Sequence, residues 1–162
     1  AHLTTRVVTL EQQLAQQTPD VGAGGLVRGT SAPDFDLPRL EGDRASLTGL
    51  RRRGRPVLLI FMDAMCPSCH QLWPDVARWQ SEHAAALTVA AVCSGSDQAI
   101  EMKVMGFPVT DVLLEGDAKV GDAFGLTLRP SAVVVDAAGL IASRSVAGVA
   151  AIRTLAAEFL PR

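Results

Sequence analysis

The 162-residue chain has no tyrosine, and its aromatic residues amount to only 4%. Its core has to be assembled from Val, Leu, Ala and Ile, which one domain of this length is large enough to do. Positive charge is not in excess: 15 Lys and Arg against 17 Asp and Glu leave a formal net charge of −2. Nucleic-acid binding usually needs a basic face, so no nucleic-acid partner is expected. No apolar run reaches the roughly 20 residues that cross a bilayer as a helix. Cysteine is scarce too, with Cys66, Cys69 and Cys93 only, which is no disulfide framework for a small secreted scaffold. His2, His70 and His83 are not spaced as a second ligand pair, so neither zinc nor another metal is expected. What is present is the balance of a globular protein, 48% hydrophobic and 20% charged.

Leu3, Val7, Leu10 and Leu14 form the apolar stripe of a short helix over residues 3–17. It reads as a frayed lead-in, with a stalk or dimer contact as the alternative. "TPDVGAGG" (18–25) follows as a flexible linker. Two units result: residues 1–25, helix and Gly-rich linker, and residues 26–162, the folded domain. The chain starts at Ala1, and an anchor or signal segment is expected ahead of it in the full-length protein.

Within the domain, "DFDLPRLEGDRASL" alternates around Glu41-Gly42-Asp43 and predicts a hairpin. Arg51-Arg52-Arg53-Gly54-Arg55 reads as a solvated loop. "PVLLIF" (56–61) is a strand covered on both faces. Residues 67 to about 86 read as one helix and "LTVAAV" (87–92) as a second buried strand. Ser96-Asp97 opens a helix that Gly106 and Pro108 close. "VTDVLL" predicts a short strand and residues 117–124 a short helix. "SAVVVD" is a third buried strand with "LIASRSV" as its hairpin partner. Ile152, Leu155, Ala156, Phe159 and Leu160 form one face of a closing helix. This order implies an α/β sheet with helices on both faces.

Cys66-Pro67-Ser68-Cys69-His70 has two readings. C-x-x-C-H is the attachment string of a c-type haem, and C-x-x-C between strand and helix is a redox dithiol. The string follows a buried strand, and Pro67 suits the first turn of a helix. That context favours the dithiol, because a haem domain of this size would be mostly helical. Cys66 then sits at the helix start, where free N–H groups favour a thiolate. Cys69, a turn further in, is the more buried partner in a disulfide with Cys66. His70 is a half-exposed helix residue whose charge can tune the thiolate. Cys93 reads as a buried small hydrophobe, and Trp73 as part of the apolar surface near the motif.

Four stretches carry a family resemblance: "GTSAPDFDLPRLEGDRASL", "PVLLIFMDAMCPSCHQLWP", "VGDAFGL" and "LRPSAVVVDAAGLI". Over roughly residues 26–162 the chain resembles thioredoxin-fold thiol-disulfide oxidoreductases of the TlpA/ResA/redoxin kind, and most of all the MauD-like (methylamine-utilisation accessory) proteins. The resemblance implies a thioredoxin-like fold: a mixed central sheet, helices on both faces and an extra N-terminal β-hairpin. It implies Cys66 as nucleophile, Cys69 as resolving thiol, and Pro130 in cis with Arg129 at the substrate. Pro67, Ser68 and Pro74 would shape the motif and helix start. The Cys66–Cys69 disulfide would be the redox group, with no cofactor. The implied partners are protein thiols or disulfides and a membrane or soluble redox protein, with the chain a monomer. The implied location is extracytoplasmic, in the periplasm or on the outer face of the cell membrane, with an N-terminal anchor.

Two departures matter. Met65 stands where most relatives have Trp, which MauD-like proteins also lack. The buried acid of thioredoxin falls at Ile60, so the acceptor of the Cys69 proton is open between Asp63 and none, Asp63 reading more plainly as a loop carboxylate. Two alternatives stand beside the exchange reading. Arg129 before "PSAVVVD" is similar to the arginine of peroxiredoxins, although Met62-Asp63-Ala64-Met65 lacks their threonine pattern before the cysteine. Met62, Met65 and His70 around a C-x-x-C also suit a Cu(I) carrier.

Overall fold

In the computed structural model, which describes residues 24–161, the chain enters through a hairpin. The expected helix over 3–17, and the linker up to residue 23, lie outside the described residues. The hairpin strands are β1 (Asp36–Pro38) and β2 (Arg44–Ser46), antiparallel with Leu37 opposite Ala45. Ser46 caps α1 (Leu47–Arg51), its hydroxyl accepting the Gly49 N–H at 2.9 Å. Next come β3 (Val57–Asp63), α2 (Pro67–His70), α3 (Trp73–Glu82), β4 (Thr88–Ser94), α4 (Asp97–Val104) and β5 (Val112–Gly116). The chain ends through α5 (Lys119–Ala123), β6 (Ser131–Val135), β7 (Val146–Ala147) and α6 (Val149–Phe159). Five strands form one sheet in the order β5-β4-β3-β6-β7. β4 runs parallel to β3 and β5, whereas β6 is antiparallel to β3 and β7.

The central strand explains the core. Leu58, Ile60 and Met62 face Trp73, Val76 and Trp79 of α3, Ile100 of α4 and Leu155 of α6. Val57, Leu59 and Phe61 face the other way, with Val135 of β6 beside Val57, into a cluster with Leu47, Leu50 and Phe124. These six side chains, Val57 to Met62, are at most 1% exposed. Side chains alternate along a strand, so covering both faces demands an unbroken apolar run. Each such burial contributes on the order of 1.5–3 kcal/mol.

Three details differ from the sequence reading. The helix expected over 67–86 is two helices, α2 and α3, separated at Gln71-Leu72. Pro74 has no N–H for the His70 carbonyl and its ring crowds that oxygen, so it fits only the first turn of a new helix. The hairpin partner expected at "LIASRSV" reduces to a bridge at Ile141 and the two-residue β7. Buried Ser143 lies between them, and its Oγ accepts the Val134 N–H at 2.9 Å. The arginine run is not wholly solvated. Arg53 donates to both Asp111 oxygens at 2.8 and 3.2 Å, and Arg39 donates to Oδ1 at 2.6 Å. Asp111 is buried with a left-handed φ of +52°, so the expected strand at "VTDVLL" starts only at Val112.

Truncating the centre of β3 tests this account. Ile60→Ala is expected to lower stability by about 2–5 kcal/mol, read from the urea midpoint at constant slope.

Candidate active site

The site grows from the end of β3. The Asp63 carboxylate accepts the Met65 N–H at 2.8 Å and the Ser94 hydroxyl at 2.6 Å. Its carbonyl accepts the Cys66 N–H at 3.1 Å. One residue thus folds the strand-to-helix turn and ties it to the end of β4. Gly95 makes room beside it: its φ is +108°, and a Cβ there would come within 3.0 Å of the Ala64 Cβ. Cys66 caps α2, its Sγ accepting the Cys69 N–H at 3.3 Å. The thiol also donates to the Arg129 carbonyl, 3.6 Å away. Arg129–Pro130 is a cis peptide, and Pro130 is buried at the start of β6 with its carbonyl accepting the Gly148 N–H at 2.9 Å.

All three cysteines are free thiols, Cys66 half-buried and Cys69 and Cys93 buried. Burial pushes the Cys69 thiol up to about 12, and its hydrogen bond with Cys66 adds to the rise, against a backbone hydrogen bond from Asp63. Burial likewise pushes the Cys93 thiol far above its ordinary range. A small cavity brings Cys66 and Cys69 together with Asp63, His70, Trp73 and Cys93. Among the described residues no three His, Cys, Asp or Glu side chains gather closely enough to hold a metal ion.

The family model described as the AhpC/TSA family matches residues 28–144. The chain belongs to the AhpC/TSA family. It is 31% identical to the thioredoxin-like protein YneN of Bacillus subtilis, over 72% of this chain and 70% of YneN. It is 30% identical to the methylamine utilization protein MauD of Methylorubrum extorquens, over 78% of this chain but only 57% of MauD. A DsbE-type thiol:disulfide interchange protein from Chlorobium tepidum matches its fold with a TM-score of 0.73 at 23% identity, covering 82% of this chain and 95% of that one. The fold is thioredoxin-like, with the extra N-terminal hairpin, and this AhpC/TSA-family chain is a thiol-disulfide oxidoreductase.

Pro67, Ser68, His70 and Pro74 are exposed, Pro74 opening α3 rather than lying in the motif's own helix. His70 meets Phe107 edge-on at 6.1 Å. Because α2 has only four residues, a long helix does not stand behind Cys66; the local stabilisation of its sulfur is the one N–H bond from Cys69. Met62 is buried while Met65 is 80% exposed, so the two do not turn toward a shared site. The Arg129 side chain points inward and is only 12% exposed. It donates to the Leu126 and Leu128 carbonyls at 3.1 and 3.0 Å and lies 3.5 Å from Glu115 Oε1. What it turns toward Cys66 is its carbonyl.

Glu115 was not singled out from sequence. Its side chain is fully buried, and burial raises its carboxyl above the usual range, against the pull of Arg129. The signal was an acid closing the apolar run "VLLE" just before a glycine. Lys103, which lines the same cavity as the cysteines, carried no signal because only the chain's return past the motif brings it there.

The burial order makes a simple prediction. In the reduced native protein, iodoacetamide is expected to alkylate Cys66 first. Cys93, 2% exposed, reacts only after denaturation, as followed by mass spectrometry against urea.

Proposed function

We propose that Cys66 is the attacking sulfur and Cys69 the resolving one, acting on disulfides in extended polypeptides outside the cytoplasm. The observation that carries this is the half-buried Cys66 sulfur, held between the Cys69 N–H and the Arg129 carbonyl, with Cys69 buried behind it. The Cys66 thiolate attacks one sulfur of a substrate disulfide, and the other substrate sulfur leaves and takes a proton. Cys69 then loses its proton and its thiolate attacks Cys66 Sγ, breaking the mixed disulfide and releasing the second substrate thiol. Two electrons and two protons have passed to the substrate, and the Cys66–Cys69 disulfide remains. Run backward, the same steps oxidise a dithiol. The pair is itself the redox group, and no further cofactor enters this reading.

Pro130 carries no N–H, and the Arg129 carbonyl beside it is the edge against which a substrate strand would pair. The exposed flanks are apolar, with Met65 at 80% and Leu128 at 51%. The peroxidase alternative needs the Arg129 guanidinium at the thiolate, whereas it is engaged with Glu115 and two carbonyls. The extracytoplasmic placement is supported by the resemblance to TlpA-, ResA- and MauD-like proteins; in the described residues no helix is long and apolar enough to cross a membrane. A redox partner, membrane-bound or soluble, would reset the pair, and a monomer suffices for the chemistry.

Cys66→Ser is expected to abolish reduction of insulin disulfides by dithiothreitol. Cys69→Ser is expected to accumulate a mixed disulfide visible by mass spectrometry. Full activity in Cys66→Ser would sink the assignment.

The raised Cys69 thiol makes resolution the pH-sensitive step. Burial keeps the Cys69 thiolate fraction small near neutrality, so unaided resolution would accelerate as pH rises. We assign Asp63, which shares the cavity with Cys69, as the proton acceptor that relieves this. Asp63→Asn is expected to slow resolution at pH 7 by about 100-fold and to recover progressively as pH rises. Stopped-flow single turnover would show it, and an unaltered pH profile would remove Asp63 from the mechanism.

A further inference from the structure

Glu115 occupies an irregular place in the sheet. Cys93 pairs with Leu114 but Ser94 pairs with Gly116, so Glu115 is the extra residue of a β-bulge. Bulges near active sites re-aim a side chain. Here the bulge delivers a carboxylate with no exposed surface to the inner side of the 126–130 loop, where Oε1 meets the Arg129 guanidinium. Oε2 has no hydrogen-bond partner. Beside the Arg129 guanidinium only the Gly121 backbone N–H draws on the carboxylate, and a buried acid paired in this way is a poor device for stability, because an apolar residue would avoid its desolvation.

The guanidinium is the centre of a small assembly. It lies over the Phe61 ring, 5.7 Å from the centroid, and draws in the Leu126 and Leu128 carbonyls of its own loop. α5 is shaped around it: Gly121 is buried, and a Cβ there would run into the Arg129 guanidinium. With its side chain held inward, Arg129 offers Cys66 only its carbonyl.

We infer that Glu115 is a positioning residue for substrate docking: through the Arg129 guanidinium it fixes the 126–130 loop so that the Arg129 carbonyl faces Cys66 and the incoming substrate strand. The clamp also withdraws the arginine's charge from the docking face, which leaves main chain and the apolar Met65 and Leu128 to receive the substrate. The substrate class this selects is an extended polypeptide with apolar residues beside its cysteine, rather than an acidic one. The inference rests on the exchange reading proposed above.

The test is steady-state reduction, with dithiothreitol, of a fluorogenic peptide carrying one disulfide flanked by leucines. Glu115→Gln keeps the shape and removes the charge. Its KM is expected to rise about tenfold, the equivalent of roughly one lost hydrogen bond, with kcat changed less than KM. Gly121→Ala, which displaces the guanidinium and leaves Glu115 in place, is expected to give the same split. In an Arg129→Met background Glu115→Gln is expected to add nothing further, since its effect runs through that side chain. An unchanged KM in Glu115→Gln would overturn the clamp, as would equal losses in KM and kcat or an undiminished effect in the Arg129→Met background. No turnover by the wild-type protein would instead overturn the exchange reading itself, and the clamp with it.

Discussion

The antiparallel register of β3 against β6 is the constraint from which the site follows. Phe61 lies opposite Ser131, so the residues that leave β3 and those that enter β6 emerge at the same end of the sheet. That pairing brings Cys66 and Arg129, 63 positions apart in the chain, to a 3.6 Å contact. Both strands are anchored by core on the two faces of the sheet, and neither can slip by one residue without turning its buried side chains to the wrong layer. The relation of thiol to carbonyl is therefore as rigid as the core itself, which is the kind of support an exchange site needs.

The polar groups around this rigid frame divide into two sets. Asp111, with Arg39 and Arg53, closes the end of the sheet opposite the cysteines and joins the segment after β1 to β5, next to the Leu40 N–H bond to Val112. Asp63, Ser94, Glu115 and Arg129 gather at the cysteine end, three of them carrying charge that the core must accommodate. The thiols buried among them are pushed toward their protonated form, because an anion there would lose its hydration. Half-buried Cys66 is the sulfur nearest the surface. Its asymmetry with Cys69 is thus a matter of depth more than of motif order.

Much of this was legible in the residues. The unbroken apolar run of β3 announced a strand covered on both sides, Gly42 announced the hairpin turn, and Ser96 announced the start of α4, where its hydroxyl does accept the Ala99 N–H. The break between α2 and α3 was legible in principle, since Pro74 cannot continue a helix begun at Pro67, but an amphipathic pattern running through it masked the break. The reduced hairpin at 140–147 was not legible, because a side-chain oxygen, that of Ser143, satisfies the Val134 N–H where a strand carbonyl was expected. Glu115 was hidden for a related reason: a β-bulge changes which way a residue points without changing the local composition.

By itself the sequence determined the composition of the core, the order of strands and helices, and the C-x-x-C spacing that lets two sulfurs meet across one turn. These are local properties, written in periodicity, caps and turn residues, and they survive any arrangement of the elements. Only the tertiary structure decided which way the Arg129 side chain turns, that Glu115 waits behind it, and that Cys93 and Lys103 share the cavity of Cys66 and Cys69. Those are contacts between segments far apart in the chain. They depend on strand register and on which face is covered first, and no single segment carries that information in its own residues.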